Sequence, residues 1–215
     1  MAENQLNTCV DNFNLLRPRL HLLQNGDFYP IIILKRKKDN PDMSKQCQVL
    51  YRTNIYNIDD YISEKTKIIN ICHQNNARAY IKVNRRNDRE VSATLVKYVL
   101  EKHLNSQYDA MRNAYDHVVG TTAVHNNKYY HIDVDSLRPI DIDNETVSNI
   151  INKLIEFKNN GLMANGDIIR VPTKNGLHIL APAFNVDKFE KEVEKNKITT
   201  WSINKDAETL LYFEN

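Results

Sequence analysis

Along the chain, apolar positions alternate with polar ones in some stretches and recur at helical spacing in others, and the two periods predict the elements. Residues 28–36, "FYPIIILKR", and 48–56, "QVLYRTNIY", read as strands joined by the polar loop "KKDNPDMSK", a hairpin pattern. A helix is predicted after Asn57, with Ile58, Tyr61, Ile62, Ile68, Ile69 and Cys72 on its apolar stripe. "RAYIKVN" (78–84) returns as a strand. "REVSATLVKYVLEKHLN" is a second helix, and a third is expected near "QYDAMRNAYDHVV", closed by Gly120. The pattern then becomes strand 129–135, helix 145–158, strand 168–171, turn, strand 177–181, helix 186–194, and short strands near 198–203 and 209–213. In the 145–158 helix Val147, Ile150, Ile151, Leu154 and Ile155 share one face, with Asn144 as a cap and Gly161 past the end. Strands mixed with helices predict an α/β (α+β mixed) protein.

Two stretches carry chemistry. In "YYHIDVD" strand alternation sends Tyr130, Ile132 and Val134 to one side and His131, Asp133 and Asp135 to the other. Two carboxylates roughly 6 to 7 Å apart on a stiff backbone repel each other, and a divalent cation is the usual remedy. His131 is read as a neighbour that hydrogen-bonds the acids. In "RVPTKNGLHILAP" a turn carrying Thr173, Lys174, Asn175 and Gly176 precedes His178. Hydroxyl, ammonium, amide and imidazole groups around one turn suit a phosphate chain. A nucleoside triphosphate with Mg²⁺ or Mn²⁺ presents the complementary pattern. Asp141 and Asp143 are read as turn or capping residues.

Composition narrows the class. With 215 residues, 41% of them hydrophobic and 26% charged, the chain can bury one domain or two joined lobes and is not of the disordered type. A net charge of +2 requires any nucleic-acid partner to be held by a local basic groove. The best candidate for that groove is "YIKVNRRNDRE", with Lys82, Arg85, Arg86 and Arg89. Three isolated cysteines indicate neither a disulfide framework nor a cysteine-based zinc site. No apolar run reaches the length of a membrane span and the N-terminus does not read as a signal peptide, so a cytoplasmic protein is expected.

"HIDVDS" and "TKNGLHI", in this order and with Asp135 and His178 separated by 43 positions, resemble the first two motifs of the archaeo-eukaryotic primase superfamily, which includes primase-polymerases and the polymerase domains of bacterial end-joining ligases. The resemblance implies a two-lobed core, with an N-terminal α/β lobe over 1–119 and a palm-like catalytic lobe over 120–215 built on an RNA-recognition-like sheet. It implies a template-dependent nucleotidyltransferase acting on nucleoside triphosphates and a DNA template, with a replicative helicase as a further candidate partner. Two Mg²⁺ or Mn²⁺ ions would be held by Asp133, Asp135 and a third acid, while Lys174 and His178, in the turn with Thr173, Asn175 and Gly176, would hold the triphosphate. Asp206 is the best candidate for the third acid and Glu208 the reserve, although Lys205 stands where the family has an apolar residue. On this reading Asp206→Asn slows incorporation with little change in thermal stability. Two other functions compete: a non-catalytic nucleic-acid-binding module, and a ligase-type enzyme forming a lysyl-nucleotide at Lys174. The ligase type resembles K-x-D-G, and "KNGL" lacks its aspartate.

Overall fold

The computed structural model describes residues 9–21, 25–123, 128–134, 145–174, 176–194 and 201–214. In chain order the elements are β1 (Val10–Asp11), α1 (Phe13–Leu16), β2 (Asp27–Arg36), β3 (Cys47–Ile55), α2 (Ile58–Asn75), β4 (Arg78–Lys82), β5 (Arg86–Asn87), α3 (Asp88–Leu104), α4 (Tyr108–Met111) and α5 (Ala114–Thr121). They continue as β6 (Tyr129–Val134), α6 (Glu145–Asn159), β7 (Ile169–Thr173), β8 (Gly176–Pro182), α7 (Val186–Glu194), β9 (Trp201–Asn204) and β10 (Glu208–Phe213). Local chemistry sets several boundaries. The Asn57 side chain accepts from the Asp60 amide to start α2, and Asn76 ends it in the left-handed conformation (φ 45°). Asn87 caps α3 by accepting from the Arg89 amide. The third helix expected from the sequence is two pieces, and Gly120 lies inside α5 rather than closing it.

Two antiparallel sheets carry the fold. The first has the order β1-β10-β4-β2-β3, with β5 also pairing β2. The second has the order β7-β8-β6-β9 and is formed by a strand-helix-strand-strand-helix-strand run, the β-α-β-β-α-β connectivity of ferredoxin-like folds. Strand alternation gives this second sheet two different faces. Ile132, Leu177, Ile179 and Ala181 pack with Val147, Ile150 and Leu154 of α6 and Phe189 and Val193 of α7. Phe189 is fully buried against Phe157 and Trp201, with ring centroids 5.2 and 5.7 Å away. On the opposite face Tyr129, Ile169, Val171 and Leu180 join one core with Phe13, Ile31, Ile33, Ala79, Ile81 and Leu211 of the first-sheet region.

The sheets are therefore joined by burial, and also by the chain. After β9 pairs with β6, the turn 205–207 leads into β10, which pairs with β4 in the other sheet. A division into 1–119 and 120–215 follows chain order, whereas strand pairing assigns the closing strand to the first sheet. Asn84 pins this crossing: its amide donates to the carbonyls of Tyr129 (3.0 Å) and Lys205 (3.1 Å), and its Oδ1 accepts from the Tyr129 amide (2.7 Å). Among the described residues no helix is long and apolar enough to cross a membrane.

Candidate metal centre

The β6/β8 pairing puts Asp133 directly opposite His178, and alternation puts His131 on the same face as both. That face looks toward the first sheet, where β10 runs past it. His131 is 1% exposed, and its Nε2 shares a 2.6 Å hydrogen bond with the Oγ1 of Thr209, itself buried on β10. The Nδ1 of His131 and the Nε2 of His178 each stand 3.5 Å from the same oxygen, Oδ1 of Asp133. The rings of His131 and His178 meet edge to face with centroids 4.9 Å apart. One ligand atom from each of the three residues lies within 4.8 Å of the others.

Three buried atoms in this cluster lack a hydrogen-bond partner: Nδ1 of His131, Oδ1 of Asp133 and Nδ1 of His178. Buried polar atoms without partners cost roughly 1–3 kcal/mol each, and a cation between Nδ1 of His131 and Oδ1 of Asp133 removes that cost for these two; Nδ1 of His178 faces away from Oδ1, to which its Nε2 is the nearer nitrogen. Burial alone raises the Asp133 carboxyl, but His131 and then His178 outweigh it and hold the group below the usual carboxylate range. Burial first, and the nearby His131 second, push His178 down to about 4 against the pull of Asp133. At neutral pH the face thus offers an ionised carboxylate and a neutral His178 imidazole, which is the protonation state that a metal requires.

The other residues singled out from the sequence have different surroundings. Asp135 and Asn175 lie outside the described residues, as do Asp141 and Asp143. Thr173 pairs with Gly176 at the end of the β7/β8 hairpin. Lys174 donates to Oδ1 of Asp39 (3.0 Å) and lies over the Phe213 ring at 4.4 Å. Asp39 also receives both arms of Arg78, at 2.6 and 2.8 Å. Asp206 accepts from Arg86 Nη2 (2.5 Å) and Asn84 Nδ2 (3.1 Å), and Lys82 reaches its backbone carbonyl at 2.7 Å and its carboxylate at 3.5 Å. It is not among the three clustered ligands.

The expectation of an exposed arginine patch at Lys82–Arg89 is corrected by burial. Arg86 is 0% exposed and also donates to the carbonyls of Val119 and Asn84, both at 2.6 Å. Arg85 is buried beside Asp27, 3.1 Å away. Lys82 is bound to the β9–β10 turn, and Arg89, on the first turn of α3, is exposed. Exposed phosphate contacts are not available to guanidinium groups that the fold has already enclosed.

A cavity of about 520 Å³ opens beside His178, walled by Arg36 of β2, Lys38, Gln46, Tyr80 of β4 and Glu208 of β10. Its cations come from the first hairpin rather than from the turn before His178. Two side chains of this face differ in how far the sequence points to them. His131 is in phase with Asp133 in the strand pattern, and the expectation that it neighbours the acid agrees with the 3.5 Å separation of Nδ1 from Oδ1 of Asp133. Thr209 gave no signal, because its contact spans 78 positions. No known family model, curated protein or solved structure matches the chain. The chemistry of the site must therefore be read from its own residues.

Proposed function

We propose that this chain is a metal-dependent, template-directed nucleotidyltransferase of the primase-polymerase kind, joining nucleoside triphosphates on DNA. The observation that carries the reading is the register of β6 and β8, which sets Asp133 across from His178 on one face of a β-α-β-β-α-β sheet. The adjoining cavity supports it, since Arg36 and Lys38 on its wall offer positive charge to a phosphate chain. Asp133 contributes the anionic ligand, and His178 marks the boundary between that ligand and the cavity. A divalent cation bound there supplies charge neutralisation and Lewis-acid activation of a phosphoryl group.

The described residues fit one such cation. A cage of three carboxylates around two ions is not supported among them, because Asp206 is engaged with Arg86 and Asn84. That engagement favours a second reading, a nucleic-acid-binding module that keeps the sheet without polymerising. The deciding experiment follows labelled nucleotide incorporation on primed and unprimed DNA with Mg²⁺ or Mn²⁺. Wild type is expected to extend, and Asp133→Asn to fall by at least about tenfold, or 1.4 kcal/mol of barrier. A wild-type protein that binds DNA and never incorporates nucleotide makes the binding module the better reading.

A further inference from the structure

We infer that His131, Asp133 and His178 form a four-coordinate site for a resident transition-metal ion, Zn²⁺ by its geometry, with the fourth position open to water or substrate. This ion is distinct from the Mg²⁺ that a nucleotide brings with it. The inference rests on the nucleotidyl-transfer reading only in giving the open position to a substrate oxygen; the binding of the ion does not depend on that reading.

Two of the three ligand–ligand distances favour a tetrahedral ion. Zn²⁺ binds imidazole nitrogen and carboxylate oxygen at about 2.0–2.2 Å, so two ligands at a tetrahedral angle lie about 3.4 Å apart. Cis ligands on an octahedral Mg²⁺ at about 2.0–2.1 Å lie about 2.9 Å apart. Both separations from Oδ1 of Asp133 are 3.5 Å, close to the tetrahedral edge. The remaining edge, between an imidazole nitrogen of each histidine, is within 4.8 Å and has to shorten by at most about 1.4 Å. The chemistry of the donors agrees, because two imidazoles suit Zn²⁺ and its neighbours in the first row, whereas Mg²⁺ retains water and carboxylate.

A directly shared proton is the competing explanation for three converging polar atoms. Its geometry is poor, since Nδ1 of His131 is 3.5 Å from Oδ1, longer than an ordinary N–H···O bond. The far side of the His131 ring explains why. When Nε2–H donates to the Thr209 hydroxyl at 2.6 Å, the lone pair is on Nδ1, directed at the carboxylate. In that tautomer two acceptors face one another in a buried site, and a cation between them satisfies both. A hydrogen bond behind a ligating histidine is also the usual device for fixing its tautomer and orientation, which makes Thr209 a positioning residue.

The test uses the full chain after removal of metal with a chelator. Titration with Co²⁺, a spectroscopic stand-in for Zn²⁺, is expected to give one equivalent of binding and the intense visible bands of a four-coordinate ion. Zn²⁺ should abolish the bands at one equivalent, and a large excess of Mg²⁺ should leave them intact. Thr209→Val should weaken Co²⁺ binding by about 10–100-fold. His131→Ala should lose the bands, and because His131 is buried, His178→Ala at a partly exposed position is the second variant, with circular dichroism as the check on folding. Weak six-coordinate bands, displacement by Mg²⁺, or an unchanged titration in folded His178→Ala overturns the inference. Co²⁺ binding without nucleotide incorporation leaves the inference standing and removes the polymerase reading. Incorporation by metal-stripped protein in Mg²⁺ alone, with no Co²⁺ site, does the reverse.

Discussion

Replacing Asp206 with Asn tests whether this carboxylate serves the fold or the chemistry. The substitution keeps the shape and one acceptor oxygen but removes the charge that faces Arg86. That guanidinium is 0% exposed, and its remaining acceptors are the carbonyls of Val119, Asn84 and Gly120, none of which neutralises it. Breaking a buried ion pair by removing one partner costs about 3–5 kcal/mol. Asp206 is 24% exposed, so water partly compensates and the low end, about 3 kcal/mol, applies. In a chain of 215 residues this corresponds to a melting temperature lower by about 6–12 °C. Thermal denaturation followed by circular dichroism measures it directly.

A double-mutant cycle isolates the pair. Arg86→Met alone leaves Asp206 with Asn84 and Lys82, and adding Asp206→Asn to it should cost at least about 1 kcal/mol less than the same change in wild type. An Asp206→Asn melt within about 2 °C of wild type, or simple additivity of the two changes, means that Asp206 does not stabilise the fold through Arg86. A catalytic role for Asp206 gives the opposite pattern, an unchanged melt with slower incorporation.

The remaining predictions use the same contrast between fold and site. In metal-free protein His178 titrates near 4 rather than its ordinary 6.5, so as pH falls the unfolded chain takes up the proton first and stability drops between about 6.5 and 4. The full loss is on the order of 3 kcal/mol and levels off below that window; denaturant melts across this range check it, and a parallel curve for His178→Gln refutes it. Lys174→Ala removes one of the charged donors to Asp39 and should lower stability by about 1.5–3 kcal/mol in denaturant melts. Loss of nucleotide affinity with an unchanged melt would instead return Lys174 to the triphosphate.

What could be read from the sequence was local. Strand alternation placed His131 and Asp133 on one face, whereas the hairpin implied by "PTKNG" pairs His178 only with Val171; the β6/β8 pairing that sets His178 opposite Asp133 joins strands separated by a helix and another strand, and periodicity does not give it. The errors concern charge partners. "VNRRND" has the composition of a solvated basic loop, yet β5 pairs with β2 and draws both arginines inward. The carboxylate that receives Arg86 lies 120 positions away, and the one that receives Lys174 lies 135 away. Periodicity states which way a side chain points relative to its own strand. It does not state what another part of the chain places there.

Strand β10 is where these distant partnerships meet. Its register sets Glu208 opposite Lys82 and Thr209 opposite Ile81, so the strand is locked to β4 at the point where it leaves the second sheet. Asp206, just before it, holds Arg86, while Thr209 holds the back of His131. A few residues therefore satisfy a buried cation on one side of the crossing and orient a buried imidazole on the other. The site is consequently not a property of the four-stranded sheet alone: its two pairing motifs come from β6 and β8, but the hydroxyl that hydrogen-bonds the back of His131 belongs to a strand of the other sheet. This accounts for the short spacing between Asp206 and Thr209. The turn that must be pinned for the chain to change sheets also aligns Thr209 with the histidine, and the ion pair that pins it serves the site through position rather than through contact.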